Sequence, residues 1–210
     1  MTDCTINALD PLPLVAILRG LVPEEAVAIG EAIADAGFLC LEVPLNSPRP
    51  LESIELLRKA LDGRVLVGAG TVLTVADVEQ VADAGGQLCV SPNVNVDVIK
   101  AAKARGLVSM PGFLTPSEAF LALSSGADAI KLFPAETIGP KGLQAIMAVL
   151  PAQARVYAVG GIAPGNIAEW QSAGASGFGI GSSLFKPGQD PLETGRKAAA
   201  FVAAMDRGQP

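Results

Sequence analysis

Pro23-Glu-Glu-Ala-Val-Ala-Ile-Gly-Glu-Ala-Ile-Ala-Asp-Ala-Gly-Phe-Leu-Cys-Leu-Glu-Val-Pro44 reads as one helix followed by one strand. Proline opens the stretch Pro23–Ala36, whose apolar residues recur at helical spacing, and Gly37 stops it. Phe38–Val43 is then short and almost continuously apolar, as a strand covered on both faces must be. One residue breaks that run, Glu42.

The same phrase recurs along the chain. Further strand candidates are Leu14–Leu18, Val65–Ala69, Gln87–Val90, Leu107–Met110, Ala129–Phe133, Val156–Val159 and Gly177–Ile180. Helical spacing marks Ser53–Leu61, Val75–Ala84, Val94–Arg105 and Pro116–Ser124. Prolines 23, 48, 116 and 164 punctuate helix starts; Gly37, Gly63, Gly85, Gly106, Gly126 and Gly174 punctuate helix ends. Eight βα units in 210 residues predict α/β architecture as a single (β/α)8 TIM barrel, with a doubly wound open sheet as the alternative. No linker or break in composition divides the chain, so residues 1–210 are expected to form one domain.

Composition narrows the function. Half the residues are hydrophobic but only 4% are aromatic, which suits helices packed tightly on a buried sheet. A net charge of −6 argues against nucleic acid or an anionic membrane as partner. Any bound anion must then be held by local amides and a few side chains. There is no histidine, which removes Ser-His-Asp and Cys-His catalysis and the imidazole cages of most catalytic zinc. Cys4, Cys40 and Cys89 are scattered, and the latter two lie in apolar runs as buried reduced thiols. The first residues lack the basic and apolar regions of a signal peptide, and no apolar run is long enough to span a bilayer. A cytoplasmic enzyme is expected.

In a barrel, ligands and catalytic groups belong at the C-terminal ends of the strands. Lys131 sits there, in Ala127-Asp-Ala-Ile-Lys-Leu-Phe-Pro134. Burial disfavours an ammonium group, lowers its pKa and makes a neutral amine accessible for attack on a carbonyl. The plainer alternative is a stem that packs while the head reaches water. The other lysines read as helical (Lys59, Lys100, Lys103, Lys197) or as loop residues (Lys141, Lys186). Glu42, at another strand end, should have a raised pKa unless it pairs with Arg19 or Lys131, and a raised pKa suits an acid–base shuttle.

Val159-Gly-Gly-Ile-Ala-Pro-Gly-Asn166 and Gly179-Ile-Gly-Ser-Ser-Leu184 follow the seventh and eighth strands. Glycines there let amide N–H groups approach a phosphate, although glycine is also common in ordinary βα turns. Gly68-Ala-Gly-Thr71 offers amides and a hydroxyl for a carboxylate, or else a turn in which Thr71 caps the next helix.

Taken together, Val15-Ala-Ile-Leu-Arg-Gly20, Leu41-Glu-Val-Pro-Leu-Asn-Ser-Pro48, Val67-Gly-Ala-Gly-Thr-Val72, Val90-Ser-Pro-Asn93, Pro111-Gly112, Ile130-Lys-Leu-Phe-Pro-Ala135 and Ala158-Val-Gly-Gly-Ile162 resemble the 2-keto-3-deoxy-6-phosphogluconate/6-phosphogalactonate aldolase family. The resemblance runs from about Leu14 to the C-terminal helix. It implies a class I Schiff-base aldolase that needs neither metal nor cofactor, on a (β/α)8 barrel, as a homotrimer. The expected partners are a phosphorylated 2-keto-3-deoxy sugar acid and its products pyruvate and glyceraldehyde 3-phosphate.

By that resemblance Lys131 forms the Schiff base and Glu42 relays protons. Arg19 and Thr71 hold the carboxylate end or nearby oxygens, Pro92 and Phe133 shape the pyruvate pocket, and Gly160, Gly161, Gly181, Ser182 and Ser183 hold phosphate. Leu41-Glu-Val-Pro-Leu-Asn-Ser resembles the galactonate branch. Val159 stands where gluconate enzymes tend to carry threonine, an exchange suited to changing preference at the substrate's C4 hydroxyl. The rival readings are the gluconate epimer or 4-hydroxy-2-oxoglutarate as substrate, a non-catalytic phosphosugar-binding barrel, and a phosphosugar isomerase.

Overall fold

The computed structural model of the protein describes residues 5–206, so Cys4 and the first residues of the chain lie outside it. Strands and helices alternate: β1 (Leu14–Ile17), α1 (Pro23–Asp35), β2 (Cys40–Pro44), α2 (Pro50–Ala60), β3 (Leu66–Gly70), α3 (Val75–Asp83), β4 (Leu88–Val90), α4 (Val96–Ala104), β5 (Val108–Met110), β6 (Gly112–Phe113), α5 (Pro116–Ser124), β7 (Ile130–Leu132), α6 (Gly139–Met147), β8 (Val156–Val159), α7 (Ile167–Ser172), β9 (Gly177–Ile180) and α8 (Pro191–Asp206).

Every pairing is parallel, in the order β5-β4-β3-β2-β1-β9-β8-β7-β6. The two edges, β5 and β6, are separated in the chain by Pro111 alone. They are halves of one stave, so the sheet closes into a barrel of eight, and the open doubly wound alternative falls. The split was not expected. Proline has no N–H to give the ladder, so the stave pairs with β4 before Pro111 and with β7 after it. The Lys131 amide completes the switch by donating to the Pro111 carbonyl at 2.8 Å.

The six glycines expected to end helices all carry positive φ, between 71° and 110°. Helix starts need two corrections: α2 begins at Pro50, after Arg49 in the left-handed region, and α7 begins at Ile167, beyond Pro164. Lys141 lies in α6, not in a loop. Thr74, not Thr71, caps α3, in a reciprocal capping box with Asp77; Thr115 and Glu118 do the same for α5.

Two apolar clusters divide the strands by parity. Leu14, Ala16, Leu41, Val43, Val67, Ala69, Ile130, Leu132, Val156, Ala158, Phe178 and Ile180 face the helices. Val15, Cys40, Leu66, Leu88, Val90, Val108, Met110, Ala129 and Tyr157 fill the barrel, because alternate residues of a strand point to opposite faces. A 3-10 turn at Ile6–Leu9 adds Ile6 and Leu9 to the inner cluster at its N-terminal end. Arg155 fixes that turn through Asp10 Oδ1 (2.8 Å) and Asn7 Oδ1 (2.9 Å). Among the described residues no helix is long and apolar enough to cross a membrane.

Candidate active site

Two residues beyond inward-facing Cys40 and Ala129, the period of the strands carries Glu42 and Lys131 into the barrel. Both are buried, Glu42 2% exposed and Lys131 7%. Room for the carboxyl comes from β3, where a Cβ at residue 70 would overlap Glu42 Oε2. Glycine at 70 is thus required by the side chain on the neighbouring stave.

Burial pushes the Glu42 carboxyl up to about 7 against the pull of Lys131 and Arg19. Among the described residues its Oε2 has no hydrogen-bond partner, and the carboxyl makes no ion pair with Arg19 or Lys131. Burial also lowers the pKa of Lys131, and Arg19 adds to that while Glu42 opposes it. The Lys131 ammonium lies 4.7 Å from the centroid of the Phe133 ring, a contact that favours its charged form. The outcome is an amine that loses its proton more readily than an exposed lysine, across from a carboxyl that holds its own near neutrality.

Above this pair opens a cavity of about 390 Å³. Arg19, Lys131, Phe133, Val159, Gly160, Gly161, Gly181, Ser182 and Ser183 line it, all of them expected site residues. Glu42, Thr71 and Pro92 do not reach its wall, although Glu42 lies two residues before the end of β2 and Thr71 and Pro92 follow β3 and β4 on the same rim. Thr71 has φ +58°, a costly left-handed conformation for a β-branched residue. Pro92 presses on the split stave, where a Cβ at Gly112 would overlap its backbone.

Arg19 donates to Asn46 Oδ1 at 3.1 Å, and the Gly20 amide donates to the buried Ser47 hydroxyl at 2.9 Å, tying the first strand-end loop to the second. At the opposite end, Gly160 and Gly161 both have positive φ. Asn166 holds their loop by donating to the Gly161 carbonyl and accepting from the Ala163 amide. The Ser183 hydroxyl donates to the Ile162 carbonyl at 2.9 Å, which leaves Ser182 as the uncommitted hydroxyl of the two.

Sequence reasoning missed Ile17, Ile162, Gly179, Phe185, Lys186 and Pro187 on the cavity wall. For Ile17 and Gly179 the signal was present: each lies two residues before an expected strand-end residue, Arg19 and Gly181, and so shares its face. Nothing local to the sequence marks Phe185, Lys186 and Pro187.

A buried lysine of lowered pKa beside a carboxyl of raised pKa, at the C-terminal mouth of a (β/α)8 barrel, is the equipment of a class I aldolase, a carbon–carbon lyase. The family model described as KDPG and KHG aldolase matches residues 5–193, and the chain belongs to that family. It is 50% identical over 194 residues to the probable 2-dehydro-3-deoxy-6-phosphogalactonate aldolase of Rhizobium meliloti strain 1021, covering 92% of each chain. It is 47% identical over 193 residues to the 2-dehydro-3-deoxy-6-phosphogalactonate aldolase of Escherichia coli strain K12, covering 92% of this chain and 94% of that one. A solved structure titled "Native KDPGal structure" superposes with TM-score 0.92 at 46% identity, over 94% of this chain and 96% of that chain. Curated proteins named for the gluconate epimer share 32% to 37% identity.

Proposed function

We propose that the protein cleaves 2-dehydro-3-deoxy-6-phosphogalactonate to pyruvate and glyceraldehyde 3-phosphate through a Schiff base on Lys131. The observation that carries this reading is the buried pair, Lys131 lowered and Glu42 raised in pKa at one rim of the barrel. The neutral Lys131 amine attacks the C2 ketone, and the carbinolamine loses water to give an iminium. Glu42 supplies the proton for that loss and, once ionised, takes the proton of the C4 hydroxyl. The C3–C4 bond breaks, its electron pair passing into the iminium to form an enamine, and glyceraldehyde 3-phosphate leaves. Protonation at C3 and hydrolysis of the regenerated iminium then release pyruvate and return the free amine.

Arg19, steadied by Asn46, takes the substrate carboxylate with Thr71. Pro92 and Phe133 enclose the pyruvyl carbons. The amides of Gly160, Gly161 and Gly181, with Ser182, take the phosphate, and Ser183 supports that loop. The galacto epimer is favoured by the names of the two relatives near 50% identity and by apolar Val159 on the wall. The protein acts in the cytoplasm as a homotrimer. Exposed Leu73, Val75, Phe120 and Leu121 on and before α3 and α5 offer apolar surface for such an interface, and sedimentation equilibrium checks the mass.

Borohydride reduction in the presence of pyruvate, followed by mass spectrometry of the peptides, tests the chemistry. One reduced adduct on Lys131 is expected. An adduct elsewhere, or none, returns the non-catalytic phosphosugar-binding barrel. Turnover of both phosphorylated epimers side by side then decides between galacto and gluco.

A further inference from the structure

The cavity has two ends of different electrical character. Arg19 and Lys131 stand at the end where the keto acid binds, and both act on Glu42. The end where phosphate binds is built from Gly160, Gly161, Gly181 and Ser182, none of which carries charge. Amides orient a phosphate, but they supply only partial charges to a group bearing nearly two negative ones. The surroundings work against it as well. The chain carries −6 overall, and the Glu136 side chain lies directly against Gly160 and Gly161.

One further cation lines the cavity. We propose that Lys186 is the counter-charge of the phosphate end, a ligand-binding residue whose ammonium pairs with the phosphate monoester of the substrate. The assignment rests on the aldolase reading for the substrate's identity, but not for the anion site itself.

Among the described residues the Lys186 ammonium has no ion pair and no hydrogen bond, in contrast with Lys103, bound to Asp128, and Lys197, bound to Glu193 and Gln189. Its backbone, by contrast, is tightly braced. Lys186-Pro-Gly-Gln189 has proline second and a glycine at φ +74° third, and the Gln189 amide donates to the Lys186 carbonyl at 3.0 Å, the pattern of a type II turn. The amides of Leu184 and Phe185 both donate to the Gly181 carbonyl, which ties the turn to the end of β9. Gln189 Nε2 donates to the Leu184 carbonyl (2.8 Å) and to Thr194 Oγ1 (2.7 Å), and Lys197 donates to Gln189 Oε1 (2.6 Å). Pro187 sits over Gly20, where a Cβ would press into its ring. A lysine with an unoccupied head, on a turn fixed at both feet and facing a cavity, is arranged to meet an anion.

The test compares the parent with Lys186→Gln and Lys186→Arg by calorimetric binding of glycerol 3-phosphate, a stable phosphate monoester, alongside pyruvate adduct formation. Lys186→Gln is expected to weaken glycerol 3-phosphate about tenfold, as loss of one charge-assisted contact does, while Lys186→Arg restores most of the affinity. The parent's affinity should also fall with added salt more steeply than that of Lys186→Gln. Equal affinity in the parent and Lys186→Gln overturns the proposal. Were the Gln variant to lose the pyruvate adduct too, the parent decides alone: a dissociation constant insensitive to salt overturns the assignment. A parent that binds glycerol 3-phosphate with the expected salt dependence but forms no pyruvate adduct sinks the aldolase reading and leaves the anion site standing.

Discussion

The lower and upper halves of the barrel interior are built by the same staves, two residues apart, yet they do opposite things. Below, Cys40, Leu66, Leu88, Val108 and Tyr157 close on one another and on Ile6 and Leu9, leaving an apolar plug. Above, the next inward positions on two staves carry Glu42 and Lys131, with Gly68, Gly70 and Gly179 leaving room beside them and Ile17, Val90, Met110 and Val159 completing the layer. The lower layer stabilises by excluding water from hydrocarbon. The upper layer excludes water from ionisable groups, which costs stability and shifts both pKa values toward the middle of the scale. A single period-two pattern thus builds both the anchor and the proposed reactive site, and only the residue type differs.

Lys131→Met removes the upper layer's amine and should produce the largest effect. Cleavage should fall by at least about 10⁴-fold, since no other lysine shares its position. The thermal midpoint should rise at neutral pH, because the fold no longer holds an ammonium in a dry site. Single-turnover assays and calorimetry check both, and a lower midpoint would contradict the account of the layer as a stability cost.

Glu42→Gln should slow turnover by roughly 10²–10⁴-fold and abolish the rate dependence on a group near pH 7. Stability gives the sign independently. Below pH 4.5 the carboxyl is protonated in both folded and unfolded chains and costs nothing. Between 4.5 and about 7 the unfolded chain sheds the proton while the folded one keeps it, so stability falls, by roughly 3 kcal/mol in all. Urea denaturation should therefore find the variant more stable than the parent at pH 8, with the gap closing by pH 4.

Leu88→Ala strikes the lower layer instead. A loss of about 2–5 kcal/mol is expected, with the pyruvate adduct still forming well below the melting point. Loss of the adduct in a folded sample would show that the two layers are not separable. Smallest is Val159→Thr, expected to shift the ratio of kcat/KM for the two epimers by about tenfold toward gluco. An unchanged ratio removes Val159 from the specificity argument.

Period and punctuation made the architecture legible. Apolar runs separated by proline-led and glycine-ended helices gave the eight units, and the two charges inside such runs, Glu42 and Lys131, announced themselves against their neighbours. The illegible features depend on partners distant in sequence. Pro111 reads locally as the end of a strand; only the change of neighbour from β4 to β7 shows it to be the middle of a stave. Thr74 is the exception, since the Asp77 that answers it lies only three residues on, a local capping box that the reading of Thr71 passed over. Gly70 looks like a turn residue, but its reason is Glu42 on the next stave. Lys186 reads as a loop lysine because the fold of its turn depends on Gly20, Thr194 and Lys197.

Arg155 reaches back across 145 residues to Asp10, and β1 finds its second neighbour only in β9. During synthesis, then, the ring cannot shut until nearly the whole polypeptide has emerged. Until Gly177–Ile180 arrives, β1 presents an unpaired apolar edge of the kind that recruits strands from other chains. The arrangement that seals the barrel floor therefore also sets the interval during which a nascent chain is exposed to aggregation.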